Sequence, residues 1–124
     1  LSSSSAASDV YKRQAFDAST GDISWIRPSS APATGGLLCT AGGLVFYGDA
    51  EGYFHAVRDD TGEELFQFNV GTGVHGNPTT YTVDGEQMVS VVVGAGGGGI
   101  WPLSYGEWLK KHTKGGGVFT FGLN

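Results

Sequence analysis

The chain has 124 residues, room for one modest hydrophobic core, and carries 22 glycines, 15% charged residues and a net charge of −5. Against a usual ~25% charged and ~7% glycine, this describes an all-β protein of many short strands joined by glycine turns. Mild acidity with one short basic cluster (Lys110, Lys111, His112, Lys114) argues against a nucleic-acid surface; one cysteine rules out an internal disulfide; and no apolar run approaches the ~20 residues that span a bilayer.

Residues 1–14 stand apart from the rest of the chain. They are Ser- and Ala-rich, lack strand alternation and contain no apolar centre of the kind a signal peptide needs. The segment resembles translated sequencing-adapter read-through, the other possibility being a natural disordered leader. It is set aside, and the organised chain is taken as residues 15–124, beginning in the middle of a gene.

A repeat opens at Ala15. Ala15-Phe16-Asp17-Ala18-Ser19-Thr20-Gly21-Asp22-Ile23-Ser24-Trp25 returns as Ala56-Val57-Arg58-Asp59-Asp60-Thr61-Gly62-Glu63-Glu64-Leu65-Phe66, displaced by 41 residues. Such a period suits one blade of a repeated β architecture. In each copy a strand ends, a Thr-Gly turn follows, and the next strand carries an aromatic, Trp25 or Phe66. The hydroxyl and carboxylate oxygens of such a turn bond backbone N–H groups, and Gly supplies a positive φ. The aromatic is expected to pack between adjacent sheets. Asp17, Asp59 and Asp60 are read as turn formers rather than paired catalytic carboxylates.

Between the copies, Gly35 to Thr40, Leu44 to Gly48 and Gly52 to Val57 read as three strands, and Leu65 to Val70 as a fourth. Four antiparallel strands in succession make a propeller blade. Cys39, in an apolar run, is expected to be a buried thiol, and His55 a satisfied sheet residue. A second round comes next: Pro78 to Val83, an Asp84-Gly85 hairpin turn, and Gln87 to Val93. The glycine run Gly94 to Gly99 leads into a polar loop, with a single helical turn the most that Gly106 to Lys111 could form. Gly117 to Leu123 is a third strand with no fourth after it.

These residues, taken in order, resemble the late blades of pyrroloquinoline quinone (PQQ)-dependent alcohol and methanol dehydrogenases. The resemblance rests on Thr34-Gly35-Gly36-Leu37-Leu38-Cys39-Thr40 through Gly48-Asp49, Glu51 to Val57, and Phe68-Asn69-Val70-Gly71-Thr72-Gly73-Val74. It continues through Asn77 to Tyr81, Asp84 to Val89, Gly94-Ala95-Gly96-Gly97 and His112 to Phe121. It implies an eight-bladed, periplasmic β-propeller that holds PQQ beside Ca²⁺ or a lanthanide and oxidises a small alcohol by hydride transfer to the quinone. Electrons would leave through a cytochrome c or an attached haem domain. The alternative left open is a non-catalytic quinoprotein-like propeller that serves as a protein-interaction scaffold.

The family's catalytic Asp, metal ligands and adjacent-cysteine pair have no counterpart here, so no catalytic or metal-ligating residue is assigned. The fragment alone is expected to be inactive. The cofactor-facing residues implied are Ala95, Gly96, Gly97 and Gly98, because relatives contact the quinone just after a Gly-x-Gly-Gly turn and glycine lets backbone approach a flat ring. Gly98 stands where a side chain usually borders the ring, which leaves Trp101 or Tyr105 to fill the space. Thr34 stands where some relatives carry a Trp or Asn facing the cofactor cavity, but is read first as an ordinary strand-start residue, and His75 lies on a loop that the blade assignment places near the propeller axis.

Overall fold

The computed structural model describes residues 11–31, 33–94 and 115–123. Within them the chain forms nine strands in three antiparallel sheets. The first sheet pairs β1 (Tyr11–Phe16) with β2 (Ile23–Ser29). The second runs in the order β3 (Leu37–Cys39), β4 (Leu44–Gly48), β5 (Tyr53–Arg58) and β6 (Glu64–Asn69). The third comprises β7 (Thr79–Val83), β8 (Glu86–Gly94) and β9 (Gly116–Gly122). The all-β, blade-by-blade reading therefore holds. The domain boundary drawn after residue 14 falls inside β1, whose Tyr11 to Gln14 pair with Ser29 to Ile26.

The 41-residue repeat is a repeat of geometry as well as of residues. In the first copy Gly21 N–H donates to Asp17 O at 2.7 Å and Asp22 N–H to Thr20 Oγ1 at 3.2 Å. In the second, Gly62 N–H donates to Arg58 O at 3.0 Å and Glu63 N–H to Thr61 Oγ1 at 3.2 Å. Both glycines have positive φ, 78° and 70°. Each copy also breaks register by one residue at the same place, between Ala15 and Phe16 and between Ala56 and Val57. That bulge twists the outer hairpin and aims the aromatic of the fourth strand.

The two central strands of the middle sheet, β4 and β5, are buried on both faces, which explains their unbroken apolar runs. Phe46, Phe54 and Ala56 face the third sheet and pack with Val70, Val74, Val89, Val91 and Val93. Val45, Tyr47 and Val57 face the first sheet and pack against Trp25. Successive side chains point to opposite faces, so one short strand serves two cores. Each fully buried valine adds on the order of 1.5–3 kcal/mol to this packing.

The β7–β8 turn is the two-residue type expected from Asp84-Gly85. Val83 pairs with Glu86, and both turn residues have positive φ, 50° and 84°, the type I′ signature. One expectation is corrected: Cys39 is exposed, not buried. It lies on β3, the short edge strand of its sheet, where alternation turns Leu38 partly inward and leaves Leu37 and Cys39 outward.

Candidate functional site

Four segments meet where β8 ends in Gly94, the start of the glycine run: residues 34–36, 49–52, 71–77 and 92–94. Gly94 N–H donates to Gly73 O at 2.9 Å, and Val74 N–H to Asp49 O at 2.8 Å. The glycines here are demanded by close approach. A Cβ on Gly73 would stand 3.0 Å from Ala50 O, and one on Gly76 would collide with the carbonyl of Val92. Gly52, at φ 98°, lies against the backbone of Thr72. This end of the molecule is therefore backbone pressed on backbone, with few side chains to hold it apart.

The structure brings together two residues singled out separately in the sequence. Thr34 Oγ1 lies 2.6 Å from Nδ1 of His75, joining the segment before β3 to the segment before β7. Burial lowers the His75 pKa from its ordinary value, favouring the neutral ring. Beside this end, Thr72 and Val93 with Gly115 to Phe119 line an open cleft of about 440 Å³. The Thr72 hydroxyl is buried and has no hydrogen-bond partner among the described residues. Ala95, Gly96, Gly97 and Gly98, together with Trp101, Tyr105 and the Lys110 cluster, lie outside the described residues.

A second polar group, which sequence patterning did not reveal, sits between the first two sheets. His55 on β5 is 6% exposed, and its ring nitrogens contact Glu64 Oε2 and Asp49 Oδ2, each at 2.8 Å. Arg27 on β2 donates to Tyr47 Oη at 2.8 Å, to Gly62 O at 2.9 Å and to Glu64 Oε2 at 2.6 Å. Burial raises the Tyr47 pKa despite the nearby Arg27. The strand alternation that puts Tyr47 opposite His55 was legible; the cross-sheet reach of Arg27 was not.

An apolar cavity of about 580 Å³ lies between the second and third sheets, lined by Phe46, Phe54, Phe66 and Phe121 among others. Phe66 is the repeat partner of Trp25. It meets Phe121 edge-on at 5.5 Å, where Trp25 meets a turn. This cavity offers packing surface rather than chemistry. Among the described residues no group of three His, Cys, Asp or Glu side chains is arranged to hold a metal ion, and no helix is long and apolar enough to cross a membrane.

Comparison with known proteins places this geometry. The family model for the β-propeller domain of glucose, ethanol and alcohol dehydrogenases, labelled PQQ, matches residues 26–89, just over half of the chain. The quinoprotein alcohol dehydrogenase PedH of Pseudomonas putida is 40% identical over 111 residues, 89% of this chain and 19% of its own length. Subunit 1 of the methanol dehydrogenase (cytochrome c) of Methylorubrum extorquens is 36% identical, across 90% of this chain and 20% of its own. Among solved structures, the quinohemoprotein alcohol dehydrogenase of Comamonas testosteroni superposes with a TM-score of 0.74 at 38% identity, covering 90% of this chain and 16% of that one. A europium-containing methanol dehydrogenase gives 0.73 at 33% identity, covering 87% and 22%. The chain thus spans about a fifth of the length of the relatives it matches.

Proposed function

Because the chain belongs to the PQQ-dependent dehydrogenase β-propeller family, we propose that it forms the closing blades of a quinoprotein that oxidises a primary alcohol by hydride transfer. The observation that carries this reading is the ordered match along 89% of the chain to only 19% of a relative's length. By itself the chain is inactive, for a fifth of a propeller cannot surround a cofactor on its axis. When bound, the quinone supplies the hydride acceptor.

The residues present fit one edge of such a cofactor and no more. Backbone packed as tightly as at Gly73, Gly76 and Gly94 fixes the point from which the glycine run leaves β8, and glycine in such a run lets backbone approach a flat ring. We assign the cofactor contact to the run continuing from Gly94 into Ala95, Gly96, Gly97 and Gly98. The Thr34–His75 pair joins the segments leading into β3 and β7 at this end and forms its polar border. The Ca²⁺ or lanthanide ligands and the proton-accepting Asp belong to the rest of the polypeptide. A periplasmic location and a cytochrome c acceptor go with the same family reading.

The test is to express the longer polypeptide containing residues 15–124 and titrate the apoprotein with PQQ by absorbance, with Ca²⁺ or La³⁺ present. Stoichiometric binding and alcohol-dependent dye reduction are expected, with binding weakened in Gly97→Trp, which puts a bulky side chain into the glycine turn itself. A folded, metal-loaded polypeptide that binds no PQQ would overturn the proposal in favour of the protein-interaction scaffold.

A further inference from the structure

The 41-residue repeat extends beyond the hairpins. Thr34 and His75 are also 41 residues apart, each just ahead of the first strand of its sheet, and their side chains meet at 2.6 Å. The next two pairs at the same displacement meet as well. A Cβ on Gly35 would stand 3.3 Å from Gly76 O, and one on Gly36 would collide with the Asn77 side chain. Equivalent residues of neighbouring blades are therefore in contact at three successive positions.

Sheets packed face to face lie ~10 Å apart. Equivalent positions of two blades meet only where the blades converge, and in a propeller that is around the central channel. The three contacts thus mark residues 34–36 and 75–77 as the axial end of these blades. Glycine permits the approach: a Cβ on Gly35 would also press on Val74 O at 3.0 Å.

At this end His75 touches both the neighbouring blade and the support of the glycine run. Its Nδ1 holds Thr34 Oγ1, and its ring folds back over Gly73, where a Cβ would stand 3.0 Å from Nε2. The Gly73 carbonyl in turn accepts from Gly94 N–H at 2.9 Å. A hydroxyl both donates and accepts, so Thr34, bonded to one ring nitrogen, keeps a second hydrogen-bonding function for a ligand. Resting on the quinone reading, we propose that Thr34 lines the axial cofactor cavity as a ligand-facing hydroxyl. His75 is its positioning residue and also sets the point where the glycine run begins.

The test compares T34S, T34V, H75N and H75L with the parent in the longer polypeptide. It titrates each apoprotein with PQQ by absorbance, Ca²⁺ or La³⁺ present, and follows hydrogen exchange of the Gly94 amide by NMR. T34V and H75L should each weaken PQQ binding roughly fivefold, the size expected for one lost hydrogen bond. Gly94 exchange should quicken by roughly the same factor in H75L, as its acceptor Gly73 loses the ring above it. T34S keeps the hydroxyl, and H75N keeps an amide to pair with it, so both should bind PQQ as the parent does. Parent-like affinity in T34V, or a loss in T34S equal to that in T34V, overturns the proposal. T34V is close to isosteric and reads the hydroxyl even if H75L does not fold. A parent that binds no PQQ overturns the quinone reading, while Gly94 exchange still decides the role of His75: an unchanged rate in H75L contradicts it.

Discussion

Trp25 stacks directly on Gly62: a Cβ on that glycine would stand 2.8 Å from Trp25 Cδ2. The indole N–H meanwhile donates to the carbonyl of Asp59 at 2.7 Å. One aromatic thus reads both the shape and the hydrogen-bonding potential of the next blade's turn. Gly62→Ala should destabilise the chain by about 2–3 kcal/mol, combining a positive φ of 70° with displacement of the ring. Trp25→Phe keeps much of the apolar contact and should lose about 0.5–1.5 kcal/mol for the missing hydrogen bond. Urea unfolding checks both, the glycine change being the larger.

Gly48 and Val74 make a second such fit, within the core. A Cβ on Gly48 would overlap the Val74 side chain, which is fully buried. Gly48→Ala should cost about 1–3 kcal/mol through overpacking. Combined with Val74→Ala it should cost less than the two single changes added together, because the second change makes room for the first. A double-mutant cycle in urea gives the coupling, and strict additivity would show that the two sites do not touch.

The Asp84-Gly85 turn carries a backbone demand without packing: nothing lies within 4 Å of a Cβ placed on Gly85. Gly85→Ala should therefore cost about 1 kcal/mol from its φ of 84° alone. Asp84→Asn should be neutral within about 0.5 kcal/mol, since Asn accepts the same turn conformation. Thermal melts of the two variants distinguish a conformational requirement from one of side-chain chemistry.

Acid should weaken the joint between the first two sheets through Asp49. Burial would raise its pKa, but hydrogen bonds from His55 and from the Tyr53 backbone outweigh burial and hold it below the ordinary value. A carboxyl depressed in the fold stabilises it above the unfolded pKa near ~3.9, and that contribution is lost as pH falls through the native value. Urea midpoints should therefore drop below about pH 4. Asp49→Asn should cost about 1–3 kcal/mol at neutral pH and flatten that drop.

Much of the fold was legible because turns and alternation are local. The Thr-Gly copies, the Asp84-Gly85 dipeptide and the apolar runs of β4 and β5 each announce their structure within a few residues, and the folded chain keeps all of them. Contacts between sheets were less so. Arg27 reaches Glu64 across 37 residues, and nothing near either residue signals the pairing. Cys39 departs from expectation for a related reason: its apolar neighbours suggest burial, whereas burial depends on which strand forms the sheet edge. Thr34 and His75 each stand out singly, and only the packing of two loops makes them a pair. The cofactor residues rested on family resemblance throughout, since a glycine run by itself specifies a backbone path and no ligand.

Whether these residues are the closing blades of a quinone-dependent alcohol dehydrogenase can be decided by long-read sequencing of the genomic locus through the codons for residues 15–124. Expected is one continuous frame, about five times this length in keeping with the fifth of its relatives that the chain spans. Its upstream blades should encode an adjacent-cysteine pair, a metal-binding carboxylate and a catalytic Asp. A full-length frame of propeller blades without those residues would contradict the enzyme reading, and a start codon immediately before residue 15 would contradict the fragment reading.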